Sequence, residues 1–147
     1  MKERTEKLIN NLIIDYSLLD KTQTEETLKK CGRACSKNMG SSQKAKKIRE
    51  RISDKDDIDL LIKTFGEEVY KDSPVYRKDN TIILKYLHKK CPCPVVEEFK
   101  IDNPIYCNCT IGHTQAIFEN LLDRKVEVVL IKSVLRGDDC CIQEIHF

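Results

Sequence analysis

The spacing of apolar residues changes at Ser73-Pro74, and this change constrains the fold more than any other feature of the sequence. Before it, apolar residues recur every three or four positions, which is the period of a helix that buries one face. After it, short runs of β-branched and aromatic residues, separated by turn residues, predict strands. A chain with helices first and strands later predicts an α+β fold with an antiparallel sheet.

Four helices are predicted in the first half of the chain. The first covers residues 3–19, and the second begins at a threonine cap (Thr22 or Thr24) and ends near Met39. The third is the basic stretch of residues 44–51, whose charges predict a solvated face. The fourth begins near residues 53–54 and buries its apolar positions, which are Ile58, Leu61, Ile62 and Phe65.

Two hairpins and one helix are predicted in the second half. Residues 75–77 and 81–87 form the first hairpin, and the prolines of the segment 91–94 remove that segment from the sheet. A helix over 112–122 separates it from a last hairpin of residues 125–135 and 140–146. The N-terminal helices therefore pack on a small antiparallel sheet in the order helices, hairpin, helix, hairpin. We expect one domain over 1–147, with a helical layer at 1–70 and a sheet plus one helix at 75–147.

Charge and hydropathy limit where such a chain acts. The chain has 26 Lys and Arg residues against 24 Asp and Glu, a net charge of +2, which argues against non-specific nucleic-acid binding. Its longest apolar run is residues 128–131, far too short for a secretory signal or a membrane span. We therefore expect a cytoplasmic protein without membrane insertion, in a compartment where disulfides are not the default.

The eight cysteines occur as four local pairs, so each lies within four residues of another; the pairs are Cys31/Cys35, Cys91/Cys93, Cys107/Cys109 and Cys140/Cys141. Zinc prefers four thiolate or imidazole ligands, and two such pairs supply four, although pairs with one intervening residue are atypical. An iron–sulfur cluster would use the same thiolates. The predicted metal ligands are Cys91, Cys93, Cys107 and Cys109, with Cys31, Cys35 and Cys141 as additional ligands. Redox-active thiols and inert buried cysteines remain as alternatives.

Cys109 and His113 form the most reactive neighbourhood that the sequence predicts. If Gly112 opens the helix, Cys109 precedes its N-terminus, where the helix dipole lowers a thiol pKa. Cys109 would then be a nucleophile or a metal ligand. His113 would be a general acid and base, a further ligand, or a plain surface residue.

The C-terminal part of the sequence resembles two families over about residues 80–147. The similarity lies in residues 106–113, 118–122 and 126–141, and in an ending to which Ser133, Gly137, Asp138 and Cys141 correspond. The families are the 4-vinyl-reductase-type small-molecule-binding domains and the L-2-amino-thiazoline-4-carboxylic acid hydrolase-like proteins. Both resemble the wider fold of nitric-oxide-sensing haem domains and vesicle-tethering subunits. The resemblance implies a helical layer on an antiparallel sheet that encloses a pocket for a small or lipid-like ligand. The extra cysteine pairs mark a cysteine-rich subfamily.

Three functions follow as hypotheses. The first is a metal- and/or small-ligand-binding domain with a sensor or accessory role, which holds zinc or an iron–sulfur cluster. The second is a small hydrolase that acts on a ring C–N or C–S bond through Cys109 and His113, so the sequence leaves open whether the protein is an enzyme. The third is a partner-binding subunit whose cysteines are inert and buried. A homodimer is compatible with all three.

Overall fold

The computed structural model describes residues 2–147, together with the side chains of all of these except 14, 16, 17 and 19. Four helices come first: α1 (Lys2–Leu19), α2 (Lys21–Asn38), α3 (Ser41–Arg51) and α4 (Ile58–Val69). Aspartates begin two of them, because the side chain of Asp20 accepts from the amide of Gln23, and Asp57 accepts from that of Leu60. Gly40, at φ 77°, makes the turn from α2 to α3.

The four strands form one antiparallel sheet in the order β1-β2-β4-β3. They are β1 (Val75–Lys78), β2 (Thr81–Tyr86), β3 (Glu127–Lys132) and β4 (Cys141–His146). The register places Ile82 opposite Ile145, and Ile145 opposite Val128, so one face of the sheet is apolar across three strands. The predicted hairpins are the two outer strand pairs, and the prediction of an α+β fold is confirmed.

Two helices lie between the hairpins, where the sequence predicted one. Pro94 occupies the first turn of a short helix, α5 (Pro94–Phe99), a position at which its missing N–H costs nothing. A 3₁₀ turn at Pro104–Tyr106 then leads directly into α6 (Cys107–Leu122). The predicted start at residue 112 is therefore five residues late.

The main core lies between α6 and the apolar face of the sheet, closed by α3 and α4. Its largest fully buried side chains include Phe65, Phe118, Leu84, Leu121 and Ile145. The rings of Phe65 and Phe118 meet edge to face, with centroids 5.5 Å apart. This core fixes α6 firmly, and α6 in turn positions the functional side chains.

A second, smaller apolar cluster joins α1 to α5. Ile13 is buried against Val96 and Ile101, and Ile9 packs beside them. The side-chain amide of Asn10 donates to the carbonyl oxygen of Phe99 at 3.3 Å, so the end of α5 is tied to α1. The segment between the first hairpin and α6 is thereby held against the helical layer.

Candidate functional site

An apolar cavity of about 390 Å³ lies between α2, α6 and the segment that begins α5. We call it the apolar cavity. That volume falls in the range of small-molecule sites, and its surface is mainly apolar. Residues that line it are Cys31, Cys35, Met39, Ser41, Val69, Tyr70, Tyr86, Pro92, Cys93, Pro94, Val95, Tyr106, Cys109, Thr110, His113 and Ile117.

One wall of the apolar cavity is a single stripe along α2 and its C-cap residue, Met39. Cys31, Cys35 and Met39 follow one another at intervals of four residues and so share a helix face. The Cys35 thiol lies 3.5 Å from the Met39 sulfur, and Met39 is 61% exposed at the rim. The adjacent face of α2 is occupied by α6, which leaves this sulfur-rich stripe to the cavity.

Two tyrosines line the apolar cavity from the α4 and β2 side. The rings of Tyr70 and Tyr86 meet edge to face with centroids 5.6 Å apart, and Tyr70 packs in the same way on Phe65 of the core. Burial raises the pKa of both hydroxyls, so each stays neutral. The sequence analysis did not identify these tyrosines, because no motif or spacing marks them.

The cysteine pairs are divided between two places. Cys93 and Cys109 line the apolar cavity with Cys31 and Cys35, and burial together with the neighbouring thiols raises the pKa of Cys35 and that of Cys109. Cys91, Cys107 and Cys141 surround a separate cavity of only about 10 Å³. Each pair of the type Cys-x-Cys thus contributes one thiol to each cluster, so the four predicted ligands Cys91, Cys93, Cys107 and Cys109 do not converge on one place.

The division follows from the helix geometry of α6. Residues 107 and 109 are both helical, so their side chains lie about 200° apart around the axis. Cys107 therefore faces the turn after β3, where its thiol lies 3.1 Å from the Ser133 hydroxyl, while Cys109 faces α2. With the helix predicted to begin at residue 112, these two residues would have been extended, which would have placed both side chains on one side.

The metal-binding prediction is not supported by this arrangement. In the part of the chain that the structure describes, no group of three or more His, Cys, Asp or Glu side chains is placed to hold a metal ion. This finding contradicts the prediction of a metal-binding protein, while the assignment of Cys91, Cys93, Cys107 and Cys109 as individual ligands stays a prediction.

Cys109 is in a different electrostatic setting from the one expected. It lies inside the first turn of α6 and is only 9% exposed. Burial raises its pKa to about 12; a hydrogen bond with Tyr106 lowers it, and the neighbouring thiols raise it further. Burial also lowers the pKa of His113. At neutral pH the two groups are a protonated thiol and a neutral imidazole.

The residues behind the family resemblance build a turn. The Ser133 amide donates to the Asp138 carboxylate at 2.8 Å, and the Asp138 amide donates to the Ser133 carbonyl at 3.1 Å. Gly137 supports the turn at φ 95°. The amide of Val134 donates to the Cys141 sulfur at 3.4 Å. Ser133, Gly137, Asp138 and Cys141 therefore shape the connection from β3 to β4 and lie outside the apolar cavity.

Comparison with solved structures identifies a similar fold. The crystal structure of a trafficking protein particle complex subunit 3 from Naegleria fowleri, covalently bound to palmitic acid, matches with a TM-score of 0.51 at 18% sequence identity. The match covers 98% of this chain and 91% of that one. At this identity the likeness establishes the shared fold. No curated protein matches the chain.

These comparisons correct the leading functional prediction. The similar solved structure is a subunit of a protein complex, and the described residues contain no metal site. The prediction of a metal- and/or small-ligand-binding sensor is therefore wrong. The resemblance to vinyl-reductase-type domains and thiazoline hydrolases stays a prediction.

Two further findings concern membrane-spanning helices and the family to which the chain belongs. Within residues 2–147, none of the helices has the combination of length and hydropathy that a membrane span requires. The family model described as "Family of unknown function (DUF6144)" matches residues 3–147. Since that match extends over nearly the whole sequence, the chain belongs to the DUF6144 family.

Proposed function

We propose that this chain is a partner-binding subunit that docks onto another protein chain through α1. The observation that carries the proposal is a pair of leucines that the fold leaves in water. Leu8 and Leu12 lie one helical turn apart and are 58% and 47% exposed. Burial of a leucine is worth about 1.5 to 3 kcal/mol, so a partner that covered this pair would gain substantially.

The leucine pair is not needed to hold α1 on its own chain. A neighbouring face of the helix already packs through Ile9 and Ile13 against α5. α1 is therefore apolar on two sides, one used within the chain and one free for a partner. The fold likeness supports the proposal, because the similar solved structure is itself a subunit of a complex and aligns along nearly its whole length.

The test compares the size of the protein when purified and in extracts of its source cells. We expect the tagged wild-type chain to elute in a larger species from extracts than after purification. The double variant Leu8→Ser/Leu12→Ser should elute at the position of the purified wild-type chain, both from extracts and after purification. Leu60→Ser, at another exposed leucine on α4, is the matched control and should behave as wild type.

Two results would decide against the proposal as stated. If wild type and double variant elute alike from extracts, α1 is not the docking surface. If the purified wild type alone sediments as a dimer that the double variant loses, the partner is a second copy of this chain. We also propose a cytoplasmic location, which fractionation of the same extracts tests.

A second candidate function is favoured by the apolar cavity. We propose that this cavity holds a fatty acyl chain attached as a thioester to Cys31 or Cys93. Both thiols line the cavity, Cys31 is exposed and Cys93 is partly exposed, so an acyl donor can reach them. The sulfur would attack the carbonyl of an acyl-coenzyme A thioester, forming a new C–S bond, and coenzyme A would leave as the free thiol with the cysteine proton.

Intact-mass measurement tests the acyl attachment. After incubation with palmitoyl-coenzyme A, we expect a mass increase of one palmitoyl group, which neutral hydroxylamine removes by cleaving the thioester. The double variant Cys31→Ala/Cys93→Ala should lose the modification, whereas Cys140→Ala, outside the cavity, should retain it. A modification that persists in the double variant, or never forms in wild type, would refute this candidate.

A further inference from the structure

A second groove, of about 370 Å³, lies between α5 and the turn that follows β3. It is separate from the apolar cavity and more open to solvent. Its floor is apolar, since Val96 and Ile101 are 6% and 3% exposed and Val134 and Leu135 lie beside them. We call it the lysine-rimmed groove, after the three lysines that line its edge: Lys89, Lys90 and Lys100.

The rim carries an unbalanced positive charge. Lys89 and Lys90 are exposed, and within residues 2–147 neither forms an ion pair. Lys100 is 77% exposed, and its ammonium lies 3.8 Å from the carboxylate of Glu6, which is 13% exposed, so the charge of this lysine is partly balanced, whereas those of Lys89 and Lys90 are not. Glu97 is the one acidic residue among those that line the groove in the described chain. The groove thus combines an apolar floor with a net cationic edge.

The apolar floor and the cationic rim together favour a bound segment that carries both apolar and acidic side chains. Apolar side chains of a bound segment would be buried on the floor, and carboxylates beside them would face the lysines. Complementary charge at an exposed rim mainly raises the rate of association and the selectivity between partners, and it weakens as salt is added. A basic segment would be repelled, and a purely apolar one would leave the lysines without counter-charge.

We propose that the lysine-rimmed groove binds a short acidic segment of a partner protein, with its apolar side chains on Val96, Ile101 and Leu135. The proposal deepens the partner-binding function and rests on it. The groove would be a second contact with the partner, in addition to the apolar leucine pair of α1. Because its rim is cationic, the partner segment that binds it would be acidic. The Cys91 thiol lines the same groove and reports on its occupancy.

The test selects short random peptides displayed on phage against the purified full chain. Enriched peptides should be acidic with interspersed apolar residues. The triple variant Lys89→Glu/Lys90→Glu/Lys100→Glu should bind them about tenfold or more weakly. The variant Lys47→Glu/Lys63→Glu/Lys71→Glu makes the same change of net charge at exposed positions outside the groove and should bind as wild type. Bound peptide should slow iodoacetamide alkylation of Cys91 but leave Cys140 unaffected.

Three results would overturn the proposal. The first is enrichment of basic or uncharged peptides, or of none. The second is an equal loss of binding in the control triple variant, which would indicate long-range charge rather than the groove. The third is tighter binding of a short-chain carboxylate such as decanoate than of any peptide, which would make the groove a site for small amphiphiles. None of these changes the elution of the Leu8→Ser/Leu12→Ser variant, so failure here is distinguishable from failure of the proposed function.

Discussion

The backbone of Gly32 in α2 lies directly against the backbone of Cys109 in α6. A Cβ atom added to Gly32 would lie 1.8 Å from the carbonyl oxygen of Cys109. The contact is reciprocal, because a Cβ on Gly112 in α6 would lie 1.9 Å from the carbonyl oxygen of Lys29 in α2. The two glycines let the helices cross at backbone contact, which places the cysteine stripe of α2 beside Cys109 at the apolar cavity.

Alanine at either glycine should force the two helices apart. Backbone atoms cannot move aside as a flexible side chain would, so we expect Gly32→Ala and Gly112→Ala each to lower the free energy of unfolding. The loss should reach or exceed the upper end of the roughly 1 to 3 kcal/mol that overpacking costs. Urea denaturation followed by circular dichroism measures it.

Gly66→Ala is the matched control for this prediction. Gly66 is also helical, but a Cβ there would come no closer than 3.6 Å to the Val75 side chain. Alanine should leave stability unchanged or raise it by up to about 1 kcal/mol through its better helix propensity. Equal losses at all three positions would contradict the proposed backbone contact.

A salt bridge ties the same two helices together and makes a second prediction. Arg33 of α2 donates to the Glu119 carboxylate of α6 at 2.8 Å, and Lys125 lies 3.7 Å away. Burial alone would raise the Glu119 pKa, but the hydrogen bond and charge of Arg33, with Lys125, outweigh it and hold that pKa below its usual value of 4.5. Because the folded pKa is the lower one, the stabilisation is present above about pH 4.5 and is lost as the pH falls through the folded pKa.

Glu119→Gln should therefore lower the free energy of unfolding at pH 7 by about 1 to 3 kcal/mol. It should also flatten the pH dependence of stability on the acidic side of about pH 4.5. Glu26→Gln is the control, since Glu26 pairs with Lys29 at 58% exposure, where an ion pair contributes little. Denaturation curves from pH 3 to pH 7 measure both effects, and the same acid dependence in wild type and Glu119→Gln would rule out the assignment.

The fold was predictable to the extent that residue spacing determines it. Apolar periodicity predicts the first and fourth helices and the strand runs predict both hairpins, because one face of each element is buried; the second and third helices were predicted from a cap and from a basic stretch. The start of α6 was not predictable in this way. Gly112 resembles a helix boundary in sequence, but in the fold it lies inside α6, where the missing Cβ admits the Lys29 carbonyl. The requirement for glycine arises from Lys29, which lies 83 positions away in the chain. No residue near Gly112 in the sequence therefore indicates it.

The candidate site was less predictable than the fold. That Cys31 and Cys35 share a helix face follows from their spacing, and the structure has them on one wall of the apolar cavity. The division of Cys107 from Cys109 could not be foreseen once the helix was predicted to begin after them. Tyr70 packs on Phe65 and meets Tyr86 of β2, and this contact between distant parts of the chain is not indicated by any local pattern.

Thiol alkylation should proceed in an order set by burial. Cys31 is exposed, whereas Cys107, Cys109 and Cys141 are only 6%, 9% and 6% exposed. Alkylation requires the thiolate and access to it, so iodoacetamide at pH 8 should modify Cys31 well before these three. Peptide mass spectrometry after timed quenching measures the order. In urea the differences should vanish, and early modification of Cys109 in the folded protein would contradict its assigned burial.

The protein should lose stability in alkaline solution. Burial, the main cause, raises the pKa of Cys91 from 9.0 to about 11 and that of Cys109 from 9.0 to about 12, and it also raises the pKa of Tyr86. A group whose folded pKa is raised stabilises the fold fully below its unfolded pKa and less as the pH climbs toward the folded value. The free energy of unfolding should therefore fall progressively above about pH 9.

Substitution separates the contribution of one thiol. Cys109→Ala removes one titrating group, so its stability should decline less steeply between about pH 9 and pH 11 than that of wild type, whatever its stability at pH 7. Urea denaturation at a series of pH values, with reductant present, gives these slopes. Parallel slopes for wild type and Cys109→Ala would mean that the Cys109 thiolate forms as easily in the fold as in the unfolded chain.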